Sequence, residues 1–169
     1  MSVPSHLLKY ISAAAIGLAF SLCVVAVGSA QSVAPFARLV GQWSGSGTIE
    51  LANGVHETIR CRATYDAHRE QNNLQLNIRC ASASYNFDLR ASANYSAGAI
   101  TGSWNEATRM VAGSISGRAE GDRFQVVATA ASFAASLTLI THGGRQSVVI
   151  RPHDTQAGIK NASFSLKRG

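Results

Sequence analysis

Charged residues are scarce in this sequence. Asp, Glu, Lys and Arg make up 14% of its 169 residues, and no run of Lys and Arg is longer than two. Nucleic acids are held mainly by clustered Lys and Arg side chains on their phosphates, so nucleic acid is not expected as a partner. The formal net charge of +6 is dispersed along the chain, which is typical of a solvated surface.

Motifs that carry catalysis are also absent. No serine lies in a nucleophile elbow, and no pair of the mature histidines (His56, His68, His142 and His153) has metal-ligand spacing within one predicted element. The sequence therefore predicts no catalytic residues, no metal site and no cofactor. It favours a binding protein over an enzyme.

The one long apolar run lies near the N terminus, at residues 11–27. Lys9 precedes it, and the small residues Gly28-Ser29-Ala30 follow it. This arrangement predicts a secretory signal peptide over residues 1–30, and an uncleaved membrane anchor is the alternative. After cleavage, residues 31–169 would form a single domain that does not span a membrane and is secreted or periplasmic.

Cysteines are few. Cys23 falls in the predicted signal peptide, which leaves Cys61 and Cys80 in the mature chain. An even number of cysteines in an exported chain predicts a disulfide. If His68 pairs with Asn73 in a hairpin, Cys61 lies directly opposite Cys80 on the same face, within the separation that a disulfide tolerates.

Alternating apolar and polar residues between turn signals predict ten strands. The first is Gly41–Leu51, with Trp43 and Ile49 on its inward face, and the last runs from residue 160 to 168. Gly121-Asp122 and Gly143-Gly144 predict two-residue hairpin turns.

This pattern indicates an all-β, up-and-down antiparallel meander barrel of about ten strands. The last strand would pair with the first and so remove the exposed edges. Residues 33–40 could form a short helical turn that plugs one end. A β-sandwich is an alternative. An outer-membrane barrel is less favoured, because the outward residues are mostly Ser, Thr, Arg, Asn and Gln.

The inward face is rich in Gly and Ala, which leaves two interpretations. The small side chains could leave a cavity for a hydrophobic or amphipathic small molecule, or the inward glycines could relieve crowding where strands coil. Under the first interpretation the predicted ligand-binding residues are Trp43, Glu57, Ile59, Leu76, Phe87, Trp104, Phe124 and Leu137. Glu57 would either lie at a wet barrel mouth or orient a polar group of the ligand.

Arginines gather on the outward face of the second to fourth strands. Arg62 is predicted opposite Arg79, with Arg60 and Arg90 nearby and Asp88 beside Arg79. Like charges in direct opposition are destabilising. We expect either an ordinary solvated cluster or a basic patch that docks lipid headgroups or an acidic protein.

The start of the first strand, Gly41-Gln42-Trp43, resembles the glycine-x-tryptophan signature of the calycins, and the longer stretch from Leu39 to Gly47 is most similar to nitrobindin-like proteins. The resemblance implies a barrel whose tryptophan packs across one end. Nitrobindins hold haem through a histidine near the chain end, whereas His153 lies in no matching motif. Small exported inhibitors of proteases or lysozymes are also similar in size, and they imply the alternative function of a periplasmic inhibitor or docking protein without an internal ligand.

Overall fold

The structure is a computed structural model that describes residues 34–68, 72–154 and 158–169. The predicted signal peptide, residues 1–30, lies outside the described residues. Within the described part of the chain, ten antiparallel strands follow one another in a closed barrel, and the first strand pairs with both the second and the last. This confirms the predicted all-β meander barrel and excludes the sandwich.

The strands are β1 (Gly41–Leu51), β2 (His56–His68), β3 (Asn73–Ala81), β4 (Asn86–Ser96), β5 (Ala99–Glu106), β6 (Val111–Glu120), β7 (Arg123–Ala130), β8 (Phe133–His142), β9 (Arg145–Pro152) and β10 (Ile159–Arg168). A short 3-10 helix, Pro35–Arg38, precedes β1.

The predicted register between β2 and β3 is confirmed. His68 lies opposite Asn73 and Cys61 opposite Cys80, and the two sulfur atoms form a disulfide. The Gly121-Asp122 turn likewise pairs Glu120 with Arg123. Turn chemistry and alternation therefore fix these pairings locally, because a slip of one residue would turn every inward side chain outward.

One end of the barrel, which we call the closed end, consists of the 3-10 helix and the hairpin turns at residues 97–98, 121–122 and 143–144. The Phe36 ring stacks on the Phe124 ring, with centroids 6.1 Å apart. The Trp43 indole N–H donates a 2.7 Å hydrogen bond to the Leu39 carbonyl. The helix therefore plugs this end, as expected for residues 33–40.

Arg168, on the last strand, holds the 3-10 helix and the start of β1 in place. Its guanidinium lies 4.6 Å from the centre of the Trp43 ring. It also donates hydrogen bonds of 2.8 Å to the Val40 carbonyl and 2.6 Å to the Arg38 carbonyl. Closure of the barrel between β1 and β10 is what brings these residues together, across most of the chain's length.

The inward glycines permit close approach of neighbouring strands. A Cβ added to Gly45 would lie 1.9 Å from the Ser165 carbonyl oxygen, and one added to Gly113 would lie 1.8 Å from that of Thr129. No side chain fits at such distances. These glycines therefore relieve crowding where strands coil, and they do not widen the interior in the way that their small size alone suggests.

The opposite end, which we call the open end, is formed by the turns at residues 52–55, 82–85, 107–110 and 131–132. From the alternation along the sequence, the second strand is predicted to begin at Val55 with this side chain inward, and the structure contradicts this prediction. The Asn53 side chain accepts a 3.0 Å hydrogen bond from the Val55 N–H. This bond extends the turn to Val55, so β2 begins only at His56, and the Val55 side chain is 48% exposed.

Candidate functional site

Two cavities lie inside the barrel. The open-end cavity has a volume of about 230 Å³, and the inner cavity, nearer the closed end, has a volume of about 150 Å³. They share the six lining residues Phe87, Leu89, Trp104, Ala128, Leu137 and Ile150. The shared wall makes them neighbouring parts of one apolar interior that is reached from the open end.

The inner cavity is lined almost wholly by apolar side chains. Its one hydroxyl belongs to Tyr65, whose O–H donates a 3.1 Å hydrogen bond to the Gln146 side-chain oxygen. Burial raises the pKa of this phenol, because the charged form would lose its hydration. A polar ligand group would find few partners here, so the inner cavity suits an apolar group.

The volumes limit the size of an occupant. Cavities for drug-sized ligands measure roughly 300–1,000 Å³, and each of these two is smaller. The interior can therefore take a compact ring system or the end of a chain. A larger molecule would have to leave part of itself outside the mouth.

Five of the eight predicted ligand-binding residues line the cavities: Leu76, Phe87, Trp104, Phe124 and Leu137. Trp43, Ile59 and Glu57 line neither cavity. Trp43 belongs to the closed-end plug, and Ile59 is fully buried in the core. Alternation identifies inward residues, but it does not tell which of them meet packed side chains and which meet open space.

Glu57 stands at the rim of the open end, where its carboxylate accepts hydrogen bonds from the backbone N–H and the hydroxyl of Ser84, at 3.0 and 2.6 Å. Hydrogen bonds from the Ser82 and Ser84 side chains lower its pKa. The carboxylate therefore ties β2 to the turn at 82–85. A role in orienting a ligand stays a prediction.

Glu106 is the acidic residue at the mouth of the open-end cavity, and only 7% of it is exposed. Its carboxylate accepts hydrogen bonds from the backbone N–H groups of Asp88, Thr108 and Arg109 at 2.9, 3.1 and 2.7 Å, and a fourth from the Thr108 hydroxyl. Burial raises the pKa of this carboxyl, but the hydrogen bonds outweigh burial and leave the pKa below its ordinary value. An ionised carboxylate thus holds the turn at 107–110 in place.

That turn presents Arg109 to the mouth. Its guanidinium lies 4.2 Å from the centre of the Tyr85 ring. Both of its hydrogen bonds within the described residues leave from Nη1, to the Asn86 carbonyl at 2.9 Å and the Thr108 hydroxyl at 3.0 Å. Nη1 also lies 3.7 Å from the Glu106 Oε2, so the two residues form an ion pair. Nε and Nη2 donate no hydrogen bond to a described residue, and 38% of the side chain is exposed.

Glu106 and Arg109 were not among the site residues predicted from the sequence. A signal was present: the inward series Ile100, Gly102 and Trp104 continues by two residues to Glu106, directly before a turn. An acidic residue at an inward position next to a turn indicates a side chain that caps backbone N–H groups. Arg109 gave no such signal, because a turn arginine is ordinarily solvated.

The outer face of β1 to β4 carries a groove of about 1,170 Å³, and Arg60, Arg62 and Arg79 are among its lining residues. Arg79 pairs with Asp88, with Nε and Oδ2 2.8 Å apart, as the predicted register required. Arg90, the fourth member of the predicted basic patch, lies opposite Asn77 and outside the groove lining.

No family model and no curated protein matches this chain. Among solved structures, the S-type phycobiliprotein lyase from Guillardia theta is similar in fold, with a TM-score of 0.54 and 12% sequence identity. The match covers 79% of this chain and 90% of the lyase. This similarity agrees with the closed antiparallel barrel of this chain. Within the described residues, no helix is long and apolar enough to cross a membrane.

Proposed function

We propose that this chain is an exported binding protein that takes the apolar part of an amphipathic small molecule into its barrel through the open end. The observation that carries the proposal is an apolar interior whose only charged lining residues, among those described, are Glu106 and Arg109 at the mouth. Residues 1–30 would direct export and be removed from the mature chain. Residues 31–169 would then act as one domain.

The apolar part of the ligand would be held by the walls that the two cavities share. Trp104 and Phe133 meet edge to face, with ring centroids 5.7 Å apart, and they form one side of the open-end cavity with Leu137. Burial of each methylene contributes about 0.8 kcal/mol. A short alkyl chain or an aromatic ring would therefore be retained without any polar contact inside the barrel.

The polar part of the ligand would lie at the mouth, and the hydrogen bonds there indicate its chemistry. Glu106 already accepts four hydrogen bonds, whereas Arg109 keeps donors on Nε and Nη2. A group that accepts hydrogen bonds, such as a carboxylate or sulfonate, complements these donors. We therefore favour an acidic amphipathic molecule over a basic one.

The similarity to the phycobiliprotein lyase supports the barrel that this proposal requires, and nothing more. One fold hosts many unrelated functions, so we do not carry the lyase activity over to this chain. A role as an inhibitor or docking protein without an internal ligand is the alternative.

The proposal can be tested with two dyes that share a ring system, 8-anilinonaphthalene-1-sulfonate and the neutral N-phenyl-1-naphthylamine. Ala128 belongs to the wall that both cavities share, so Ala128→Phe should weaken both dyes by about tenfold or more. Arg109→Gln should weaken the sulfonate more than the neutral dye. Gln125→Phe, on the exposed face of the same strand, is the matched control. Unchanged affinities in Ala128→Phe would place the dyes outside the barrel and contradict the proposal.

A further inference from the structure

We propose that the outer groove of β1 to β4 is a second binding site, and that its ligand is an acidic polysaccharide. The groove lies on the outer side of the strands whose inner side forms the barrel core. The groove shares only one lining residue, Phe87, with the interior cavities. Its lining combines three arginines with neutral hydrogen-bonding side chains and one carboxylate, Asp88.

The arginines are arranged at a cost to the fold. Arg62 lies directly opposite Arg79 on neighbouring strands, and like charges in this position repel. Asp88 neutralises Arg79, but none of the ion pairs between described residues involves Arg60 or Arg62. Their partners on β1 are Ser46 and Ser44. Two cations thus stand without a counter-charge, and an anionic ligand would supply it.

The side chains around them indicate the kind of anion. A guanidinium binds carboxylate or sulfate oxygens through two parallel hydrogen bonds. Ser44, Ser46 and Asn77 lie beside the arginines and can donate and accept hydrogen bonds with sugar hydroxyls. This mixture of neighbouring cations and neutral hydrogen-bonding groups complements a sugar chain that bears acidic groups.

The extent of the site and its neutral side chains favour a sugar chain. Four adjacent strands span about 14 Å at a spacing of about 4.8 Å, which matches a few sugar units. Such a chain offers hydroxyls to Ser44, Ser46 and Asn77 along its length, as well as acidic groups to the arginines. We therefore assign the site to a polysaccharide and not to lipid headgroups.

The test measures binding of heparin, a polysaccharide with both sulfate and carboxylate groups, to the purified protein over a series of salt concentrations. Arg60→Gln/Arg62→Gln should weaken binding by about tenfold or more. Arg118→Gln/Arg145→Gln, which removes the same charge from exposed positions on β6 and β9, should change the affinity by less than about twofold. Equal urea midpoints for the two double variants would establish that both are folded.

Three outcomes would overturn the proposal. The first is absence of heparin binding by the unmodified protein. The second is an equal loss in both double variants, which would mean that net charge alone attracts heparin. The third is binding to phosphatidylglycerol vesicles that depends on Arg60 and Arg62 at salt concentrations where heparin does not bind, which would assign the groove to a lipid surface.

Discussion

At the closed end, Phe36 and Trp43 fill the barrel, and Arg168 donates its hydrogen bonds to backbone carbonyls of the plug. At the open end, Trp104 borders empty space, and Arg109 uses only one of its terminal nitrogens for internal hydrogen bonds. Trp43 and Arg168 at the closed end can thus be compared with Trp104 and Arg109 at the open end, and the packing around the two pairs differs.

The difference suggests a division of roles between the two ends. Where an aromatic ring is fully packed and a guanidinium donates its hydrogen bonds to the protein itself, as around Trp43, both side chains stabilise the fold. Where the ring borders a cavity and the guanidinium keeps unused donors, the two side chains contribute less to stability and are available to a ligand.

Exchange of each tryptophan for alanine gives the largest contrast. Trp43→Ala should lower the free energy of unfolding by about 3–5 kcal/mol, because it removes a fully packed ring and a buried hydrogen bond. Trp104→Ala also removes an indole hydrogen bond, of 3.2 Å to the Ser114 carbonyl, but its cost should lie at the low end of this range, about 3 kcal/mol, because this ring borders both cavities. Urea unfolding of the two variants measures the difference. Equal losses would contradict the assigned roles.

Glu106 tests whether the mouth depends on an ionised carboxylate. The folded pKa of Glu106 lies below the ordinary value of 4.5, so its carboxylate stabilises the fold above that pH, and this contribution is lost as pH falls through the folded pKa. Glu106→Gln should lower stability at pH 7 by about 1–2 kcal/mol. It should also flatten the decline in stability below pH 4.5, which thermal unfolding across pH would record.

Glu57 is the comparison for this experiment. Its pKa is also lowered by hydrogen bonds, but Glu57 is only partly buried, whereas Glu106 is buried. Glu57→Gln should therefore change the pH profile less than Glu106→Gln does. If the glutamine variant of Glu106 kept the full acid dependence of the unmodified protein, the carboxylate would not be what holds the turn.

Backbone strain should not distinguish the two ends. Ala97 at the closed end and Met110 at the open end both adopt left-handed conformations, with φ of 47° and 53°. Asparagine tolerates this region better than either residue, so Ala97→Asn and Met110→Asn should each raise the free energy of unfolding by about 0.5 kcal/mol. Thermal unfolding can resolve so small an increase, and a loss of stability in either variant would count against it.

The fold could be predicted closely because its signals are local. Gly121-Asp122, Gly143-Gly144 and the alternation around Cys61 and Cys80 each specify a pairing over a short stretch of chain. The bounds of the first strand matched, those of the last differed by one residue, and β2 begins one residue late because the Asn53 side chain extends the turn to Val55. Such capping depends on one hydrogen bond and leaves the alternation unchanged.

The site could be predicted only in part. Leu76, Phe87, Trp104, Phe124 and Leu137 were found because inward position follows from alternation. Arg168 and Arg109 were missed because their roles depend on contacts made across the closed barrel. Arg168 reaches carbonyls of Arg38 and Val40, from 130 and 128 residues away along the chain, and no local pattern reports such a contact.

Fluorine NMR of protein labelled with 5-fluorotryptophan tests the division between the two ends most directly. The chain has two tryptophans, so two signals are expected, and the one missing from Trp104→Phe is that of Trp104. On titration with 6-bromohexanoate, a short apolar chain with a carboxylate, we predict that the Trp104 signal shifts and broadens while the Trp43 signal stays in place. A shift of the Trp43 signal alone, or equal shifts of both, would contradict this account.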